Sequence, residues 1–455
     1  MKIVISGGGE IGYLFAQQFS VGNDVHVIET DEELIARLEK LDLQVIRGNP
    51  TSLLVLQAAS VPDADAFIAC AHSDEVNVIS CLAAKQLGNT KTFCFVNKSH
   101  YFETFAGELG EHLVIDALIW PEKILAEYIC KIISVPGAID VKVFEHENLK
   151  LYEYRFKEGD TYIGKTLKDL NLPKGTLAVA VFRGENIIIP GGATEFMARD
   201  KIIFMGLADN MSKLEARFNY GIGNRQNVIV IGGGTVGGIL ASSLAATGKA
   251  KIRLIEHSFE RCQILSEELP DEVLILNADG TVPSYLKSLQ IENCDCVVVL
   301  TGSDERNLLV SMQAKQLGAK RVITRAHSVE NLDFFENVGI DVALSSQFNA
   351  IQNVTKKISD ESIDVFTIFE KGKAEIREIH VPSNFPPSRL IDLKLPAGVI
   401  IAAIRRGGHT IVPHGEDKIK GKDRLRVFCA VDQGESIHDF LHSFSQKASH
   451  SEDRQ

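Results

Sequence analysis

The same glycine-rich turn occurs twice in this chain of 455 residues, about 225 positions apart. Residues 3–12 read IVISGGGEIG, and residues 228–237 read VIVIGGGTVG. Further motifs recur in the same order in both halves: VIET and LIEH, SDEVN and SDERN, AKQLG twice, and LPKG and LPAG. Because the order is kept and the spacing between partners drifts by only a few residues, the chain is an internal duplication.

Each copy begins with apolar, β-branched runs that alternate with helical patterns. KIVIS and DVHVIE are examples in the first copy, and NVIVIG and CVVVLT are examples in the second. Strands this uniformly apolar are buried on both faces, which predicts a parallel sheet covered by helices. The second part of each copy has short strands separated by turns such as FRGEN and IRRGGHT, and it predicts a small β-rich module.

The sequence therefore predicts an α/β protein with two tandem repeats, each a Rossmann-like parallel-sheet domain followed by a small α+β module. The predicted Rossmann-like domains span residues 1–135 and 226–355, and the predicted small modules span residues 140–220 and 363–445. Residues 446–455 are polar, and we expect this tail to be disordered.

Composition limits the classes of partner. The formal net charge of −12 argues against nucleic acid as a partner, because such binding depends on Lys and Arg that neutralise phosphates.

Eight cysteines are scattered without a CxxC pair, which favours reduced thiols in a cytosolic protein over a disulfide or metal framework. Residues 227–248 are uncharged and long enough to span a bilayer, but they divide into a strand run, a glycine turn and a helical pattern. We therefore predict no transmembrane helix.

The context of the glycine turns indicates a nucleotide site. In GxGxxG between a strand and a helix, the first glycine permits the tight turn, the second admits a phosphate and the third allows close packing. The helix N-terminus then offers unpaired N–H groups and a partial positive charge. Glu29 and Glu256 end the next strands, where a carboxylate accepts hydrogen bonds from ribose hydroxyls and repels a 2′-phosphate. The pattern favours NAD or an adenine nucleotide over NADP; the alternative is a turn kept for packing with an empty site.

The sequence shows no apparatus for transforming a substrate. Residues 159–166 match the P-loop pattern, but a half-exposed strand precedes them and a short segment broken by Pro173 follows, so we reject the match. His438 and His442 have a spacing that binds metal on a helix, but without a third ligand a solvated face is favoured. We expect His72 to line the nucleotide cleft and to make a hydrogen bond there. We predict neither catalytic residues nor a metal site.

A binding domain that is duplicated and carries no chemistry indicates regulation, since ligand binding can change how neighbouring domains pack. The motifs ISGGGEIG, VIET, SDEVN, LPKG and VFRGENIIIPGGATEFMARDKI, each echoed later, resemble those of the TrkA family over almost the whole chain. Members of that family are cytosolic regulatory subunits of bacterial Trk potassium-uptake systems. The resemblance implies two RCK-type units per chain, each a Rossmann-like domain plus a TrkA C-terminal module.

The resemblance also implies ligands and partners. NAD(H), ATP or ADP are expected to bind in the Rossmann clefts and to change the shape of a ring, which is expected to be a homotetramer. The ring is expected in the cytoplasm, peripheral to the inner face of the cell membrane, beneath a membrane-embedded potassium channel subunit of the TrkH type.

By position, the resemblance assigns cofactor-binding roles in both copies. The glycine turns are expected to contact pyrophosphate, and the two glutamates are expected to hold ribose. The expected cofactor-binding residues are Gly7, Gly8, Gly9, Glu10, Ile11, Glu29, Asn49, Ala71 and His72 in the first copy, and Gly232, Gly233, Gly234, Thr235, Val236, Glu256, Asp279, Thr301, Gly302 and Arg325 in the second.

The two copies differ in how closely they follow the family pattern. Where the family usually has Asp, Thr and a basic residue, the second copy keeps all three types and the first copy has lost them. The pairs are Asn49 with Asp279, Ala71 with Thr301, and Val96 with Arg325. We therefore expect the second copy to bind an adenine nucleotide more tightly.

Other interpretations stay open at this stage. An NAD-dependent oxidoreductase would use the same Rossmann-like domains for hydride transfer, and a regulator of another cation transporter would use related modules. The helical segments within residues 119–141 and 345–365 are interpreted either as assembly surfaces between chains or as linkers within one chain.

Overall fold

A computed structural model describes residues 1–106, 115–144, 147–218, 225–359, 365–369, 374–393, 395–396 and 398–430. The predicted tail 446–455 and the pair His438 and His442 lie outside these residues, as does part of the predicted module 363–445. The main sheets of the described chain are two six-stranded sheets and two five-stranded sheets, which alternate along the sequence.

The first Rossmann-like region has parallel strands with helices between them. The strands are β1 (Lys2–Ser6), β2 (Asp24–Glu29), β3 (Gln44–Arg47), β4 (Ala66–Ala69), β5 (Lys91–Phe95) and β6 (Ala117–Ile119). The helices are α1 (Glu10–Phe19), α2 (Glu32–Leu38), α3 (Leu53–Ala58), α4 (Asp74–Leu87), α5 (Ser99–Phe105) and α6 (Pro121–Ser134). The sheet order is β3-β2-β1-β4-β5-β6, the Rossmann order, with its switch point between β1 and β4.

Strand β1 shows why a sheet forms here. Ile3 and Ile5 lie in one hydrophobic cluster and Val4 lies in another, and all three side chains are fully buried. Successive residues of a strand point to opposite faces, so a run without polar residues needs cover on both sides. The prediction of a parallel sheet covered by helices is confirmed.

The first small module is an antiparallel sheet followed by a short helix. Its elements are β7 (Ala138–Phe144), β8 (Leu149–Arg155), β9 (Thr176–Arg183), β10 (Asn186–Ile188), β11 (Lys201–Leu207) and α7 (Ala208–Glu215). The sheet order is β10-β9-β11-β8-β7, and neighbouring strands are antiparallel. The rejected P-loop match lies within residues 158–170, which form turns and an isolated bridge between Thr166 and Glu195.

The second Rossmann-like region repeats the first. The strands are β12 (Gln226–Ile231), β13 (Ala250–Glu256), β14 (Val273–Asn277), β15 (Cys296–Val299), β16 (Val322–Arg325) and β17 (Val342–Leu344). The helices are α8 (Thr235–Thr247), α9 (Phe259–Glu268), α10 (Pro283–Ser288), α11 (Asp304–Gln316), α12 (Asn331–Asn337) and α13 (Ser346–Ser359). The parallel sheet has the order β14-β13-β12-β15-β16-β17, so the duplication extends to topology.

The second small module repeats the antiparallel sheet. Its strands are β18 (Val365–Phe369), β19 (Ala374–His380), β20 (Ser388–Arg389), β21 (Val399–Arg406), β22 (His409–Ile411), β23 (Lys418–Ile419) and β24 (Arg424–Ala430). The main sheet has the order β18-β19-β24-β21-β22, and β20 pairs with β23 separately. The predicted fold class, two tandem α/β repeats, is confirmed.

The chain divides into two compact units, Met1–Cys130 with Asn224–Ile358 and Lys131–Gly223 with Ser359–Gln455. The two Rossmann-like regions share one unit and the two small modules share the other, which the linear order of the repeats does not predict. Within the first unit, α13 follows the last strand of the second sheet, but its apolar residues lie in the core cluster of the first sheet. These residues are Ala350, Ile351, Val354 and Ile358. Helix α13 therefore packs within the chain, as the linker interpretation expects.

Within the second unit, the two small modules share a hydrophobic cluster that includes Val179 and Phe428. A salt bridge joins them as well: Arg426 Nε donates to Glu147 Oε2 at 3.1 Å, and both side chains are almost fully buried. Removing either partner would leave an unpaired buried charge, which is strongly destabilising. The ion pair and the shared cluster thus hold the modules to each other.

Candidate functional site

Each glycine loop follows the first strand of its sheet; we call Gly7–Gly12 the first glycine loop and Gly232–Gly237 the second glycine loop. Gly7 has φ of +103° and Gly232 has φ of +110°, in the left-handed region that favours glycine. A Cβ at Gly7 would lie 2.6 Å from the backbone N of Ala71, and a Cβ at Gly232 would lie 2.5 Å from the carbonyl O of Leu300. Each loop therefore passes directly against the chain that leaves the fourth strand.

The third glycine of each loop is required by packing. A Cβ at Gly12 would lie 1.8 Å from the carbonyl O of Gly7, and a Cβ at Gly237 would lie 1.9 Å from that of Gly232. No rearrangement of side chains could relieve a contact with backbone at this distance. The third glycine thus lets each helix begin directly above the end of its strand.

The second glycine of each GxGxxG motif, Gly9 or Gly234, has open space around it. Gly9 and Gly234 are the N-caps of α1 and α8, no side chain caps either helix, and a Cβ at either glycine would meet nothing within 4 Å. Ile11 and Val236, in the first turns, are half-buried and buried respectively. The first N–H groups of a helix have no intrahelical partner and lie at the positive end of its dipole. Each loop thus offers space and hydrogen-bond donors to an anion.

Two carboxylates hold the glycine loops in place. Glu29 Oε2 accepts a hydrogen bond from Gly8 N at 2.5 Å, and Glu256 Oε2 accepts one from Gly233 N at 2.7 Å. The other carboxylate oxygen of Glu29 accepts from Asp31 N at 2.9 Å, and Glu256 has the equivalent bond at 2.8 Å. Oε1 of Glu29 also accepts from the backbone N and the hydroxyl of Thr30, at 2.5 and 3.2 Å, and Oε1 of Glu256 also lies 2.8 Å from His257 Nδ1. Because a carboxylate oxygen has about two acceptor positions, the position left for a ribose hydroxyl is on Oε2 of each glutamate. Sequence reasoning missed the bracing of the loop backbone by these carboxylates.

Two buried asparagines join the ends of neighbouring strands beside each loop. Asn77 Oδ1 accepts from Ala71 N at 2.8 Å, while its Nδ2 donates to the carbonyl O of Phe95 at 3.0 Å. Asn307 makes the equivalent bonds in the second copy, at 2.7 and 2.8 Å. Both side chains are fully buried. The sequence signal was the last residue of SDEVN and SDERN, which the motif comparison found without assigning it a role.

Comparison with known proteins agrees with this architecture. The TrkA-N domain model matches residues 3–117 and 228–346, and the TrkA-C domain model matches residues 151–219 and 376–442. The chain is 36% identical to Trk system potassium uptake protein TrkA homolog 1 of Methanosarcina mazei, over 97% of this chain and all of the relative. The chain belongs to the TrkA family. It is also 30% identical to Trk system potassium uptake protein TrkA of Halomonas elongata, over 94% of this chain and 95% of the relative.

Solved structures share the fold of this TrkA-family chain. The crystal structure of the GsuK RCK domain matches with a TM-score of 0.62 and 19% identity, covering 97% of this chain and 95% of that chain. The GsuK channel bound to NAD matches with the same TM-score and identity, covering 97% of this chain and 79% of that chain. At this identity the likeness concerns the fold.

The third strand of each sheet ends in a short turn that differs between the copies in charge. Asn49 Oδ1 accepts hydrogen bonds from the backbone N and the hydroxyl of Thr51, and Asp279 Oδ1 accepts the same two bonds from Thr281. The Thr281 hydrogen bonds, helped by nearby positive charge, lower the pKa of Asp279. The turns are therefore alike in geometry, but only the second carries a carboxylate. Both residues are exposed.

Arg325 ends β16, and its equivalent in the first copy is Phe95. Asn77 donates to the carbonyl O of Phe95, as Asn307 donates to that of Arg325. The prediction that pairs Val96 with Arg325 is therefore wrong by one residue. Phe95 and Val96 lie in different hydrophobic clusters, on opposite faces of the sheet, so Val96 does not occupy the position of Arg325.

Arg325 contacts both copies of the repeat. Its Nη2 donates to Ser346 Oγ at 3.2 Å and lies 3.5 Å from Glu122 Oε1, at the beginning of α6. Burial lowers the pKa of Arg325, and the negative charges of Glu122 and Asp304 act in the opposite direction. Among the described residues, Nε of Arg325 and Oε2 of Glu122 are buried without a hydrogen-bond partner.

The remaining expected residues lie on exposed parts of the two sites. Glu10 and Thr235 are the first residues of α1 and α8 and are exposed. His72 and Gly302 are exposed on the loops that follow β4 and β15, and Thr301 hydroxyl donates to Asn307 Oδ1 at 2.7 Å. The hydrogen bond of His72 with a ligand stays a prediction.

None of the described helices is long and apolar enough to cross a membrane. In the residues that the structure describes, no group of three or more His, Cys, Asp or Glu side chains is arranged to hold a metal ion.

Proposed function

We propose that this chain is a nucleotide-sensing regulatory subunit of a potassium-uptake system, which binds NAD(H), ATP or ADP at its two glycine loops and leaves the ligand chemically unchanged. One observation carries the proposal. The first strand of each parallel sheet leads into a glycine loop in which Gly9 or Gly234 has open space around it, and the helix that follows has no side-chain cap. The names of the TrkA relatives support the transport role. The shared fold of a channel bound to NAD supports the class of ligand.

The residues at each loop fit a bound diphosphate. Backbone N–H groups at the starts of α1 and α8 would hold the phosphates, since any side chain at Gly7 or Gly232 would collide with backbone. Oε2 of Glu29 and Oε2 of Glu256 would each accept a hydrogen bond from a ribose hydroxyl through the lone pair that the loop leaves unused. The ligand supplies the signal by occupancy, and the protein residues bind and orient it.

The second glycine loop would bind an adenine nucleotide more tightly than the first. Glu256 is almost fully buried and its Oε1 lies 2.8 Å from His257 Nδ1, so its carboxylate is firmly positioned. Thr301 adds a hydroxyl that Ala71 lacks. These differences support the ranking of the two copies.

The membrane partner would be an embedded potassium channel subunit of the TrkH type, and the chain would lie at the cytoplasmic face of the membrane. We further propose assembly into a ring, as a homotetramer. Helices α11 and α12 support self-assembly, because Leu309 and Met312 are exposed on α11, Phe334 is exposed on α12 and Val338 is exposed directly after it. Exposed clusters of large apolar side chains mark interaction surfaces.

Two matched substitutions test the proposal. Gly9→Asp and Gly234→Asp would place a carboxylate where a phosphate binds, and both glycines have φ near −60° with open space around them. Aspartate is also a favoured N-cap residue, so the helices should persist. We expect the double variant to lose calorimetric binding of NADH, ATP and ADP.

The transport role is tested with the full-length chain and a TrkH-type channel subunit in vesicles. Potassium flux should change when NADH, ATP or ADP is added, and the double variant should abolish the change. Tight binding without any effect on flux would contradict the transport role. Steady conversion of NADH to product by the purified chain would favour an oxidoreductase instead.

A further inference from the structure

The two glycine loops differ in charge at the residue that begins the helix. Glu10 is that residue in α1, and Thr235 is that residue in α8. Glu10 is exposed and follows Gly9, the glycine with open space around it. A carboxylate in the first turn is favourable because it lies at the positive end of the helix dipole. A ligand phosphate would meet this like charge at the first loop and a neutral hydroxyl at the second.

The carboxylate of Glu10 is held by the second copy. Gln347 Nε2 donates a hydrogen bond to Glu10 Oε2 at 2.9 Å. Gln347 is the second residue of α13, the helix whose apolar residues lie in the core of the first sheet. A further bond from Gln18 to Thr355, at 3.2 Å, ties α1 to α13. The position of Glu10 beside the glycine loop is therefore defined by packing between the copies.

Three positions near the loops carry arginine in the second copy and an apolar residue in the first. Residues of the two copies are paired here because they make the same hydrogen bond. In two pairs the backbone N donates to the side chain of the helix N-cap, and in the third the carbonyl O accepts from the buried asparagine. The pairs are Leu34 with Arg261, Val76 with Arg306, and Phe95 with Arg325. Arg261 Nε donates to the carbonyl O of Gly233 at 2.9 Å, so this guanidinium lies on the glycine loop itself.

Other charges reduce this contrast without reversing it. Asp279 adds a carboxylate to the second copy where the first has Asn49, and Arg325 lies near Glu122. In the first copy Arg37 stacks on the ring of Tyr13, 3.8 Å from its centroid. Arg47, at the end of β3 where the second copy has Asn277, is paired with Glu32 and Glu39. Near the loops, the second copy thus gains three arginines and one aspartate, while the first gains Glu10 and two arginines that are held by other side chains.

We propose that Glu10 sets the ligand class of the first glycine loop. This loop takes a dinucleotide, whose phosphates are bridged and carry one charge each, and the second loop takes a nucleotide with terminal phosphates, such as ADP or ATP. A terminal phosphate has a second ionisation near pH 6 and is close to doubly charged at pH 7, so Glu10 repels it more strongly. The inference rests on the proposed nucleotide binding and assigns a different ligand to each copy.

The experiment compares two affinities at the first loop of the full-length chain. Gly234→Asp removes binding at the second loop, and Kd values for ATP and NADH are then measured by calorimetry without divalent cations, which would neutralise phosphate charge. Adding Glu10→Gln keeps the side-chain size and removes the charge. We expect the ratio of Kd for ATP to Kd for NADH to fall about fivefold to tenfold, as removal of one like charge near the terminal phosphate implies.

Two further variants separate charge from fold. Asp63→Asn removes one exposed charge from the segment before β4, at the opposite end of the strands from the loop, and should leave the ratio unchanged. Gln347→Met releases the Glu10 carboxylate while keeping a long side chain, and should lower the ratio by a smaller factor. A ratio that Glu10→Gln leaves unchanged, while both ligands still bind, would overturn this inference alone. If neither ligand binds to the first loop with or without Glu10, nucleotide binding there fails as well.

Discussion

The two glycine loops have nearly the same backbone and different charged surroundings. Gly7 and Gly232 share the same left-handed φ, and Gly12 and Gly237 are each packed against the preceding turn. The charged residues around the loops are not shared: the first copy has Glu10, and the second has arginines on α9, α11 and β16. The glycines and glutamates that shape each loop have been kept in duplicate, while the charged groups around the loop have diverged.

This contrast separates two kinds of constraint. A third glycine collides with backbone if it gains a Cβ, so its identity is fixed by the fold alone. An exposed residue in the first turn of a helix affects stability by about 1 kcal/mol or less, so its identity can follow the ligand. Substitutions of the first kind should therefore act alike in the two copies, and substitutions of the second kind should not.

The largest effect should come from the third glycines. Gly12→Ala and Gly237→Ala would place a methyl group about 2 Å from a carbonyl oxygen, and each should destabilise its domain by about 3 kcal/mol or more. Thermal unfolding followed by circular dichroism checks the expectation. Gly9→Ala and Gly234→Ala are matched controls with open space at Cβ and should change stability by less than about 1 kcal/mol. Equal stability of the two pairs would contradict the loop geometry.

The buried asparagines should follow. Asn77→Ala leaves the N–H of Ala71 and two carbonyl groups without their partner, and Asn307→Ala also strands the Thr301 hydroxyl. Each should cost about 2–4 kcal/mol, with the larger loss for Asn307→Ala. Urea unfolding provides the measurement. An effect confined to one copy would show that the shared geometry does not carry shared energetics.

Local pattern in the sequence was sufficient for the repeat, the parallel sheets and the glycine loops. Strands such as β1 have no polar residue on either face, and the glycines stand at the strand-to-helix turn, so each signal lies within about ten residues. The carboxylates of Glu29 and Glu256 were found by their position at the end of the second strand. Their bonds to the loop backbone were not, because sequence spacing does not reveal which N–H a side chain reaches.

Contacts between distant segments were beyond the sequence. Helix α13 carries an amphipathic pattern that indicates burial but not against which sheet, so its packing into the first copy could not be predicted. Arg261, Arg306 and Arg325 lie on three different elements, and only the fold shows that each replaces an apolar residue of the first copy. The error of one residue at Val96 has a similar origin, since the hydrogen bonds of Asn77 and Asn307 fix the register and motif spacing does not.

Substitution of the two glutamates tests whether the second loop binds adenine nucleotides more tightly than the first. Glu256→Ala should lower ATP and ADP binding more than Glu29→Ala, by about tenfold or more in the total binding signal, because the second loop carries the larger share. Glu256→Gln keeps one acceptor oxygen and should lose less. Calorimetry on the full-length chain measures both. A greater loss from Glu29→Ala would reverse the ranking.

The smallest expected effect is a difference in ATP affinity between substitutions of two arginines, Arg37 and Arg261, which lie on equivalent helices. Arg261 donates to the carbonyl O of Gly233 in the second loop. Arg37 instead stacks on the ring of Tyr13, a residue that is replaced by Gly238 in the second copy. Arg261→Gln should therefore weaken ATP binding about threefold to tenfold by removing a positive charge beside the phosphates. Arg37→Gln should leave binding unchanged and cost only about 0.5 kcal/mol of stability, the value of an exposed cation–π contact. The two variants remove the same charge from the same chain, so a difference in ATP affinity between them depends on position alone. If both weaken ATP binding equally, net charge rather than the arrangement around the second loop determines the affinity.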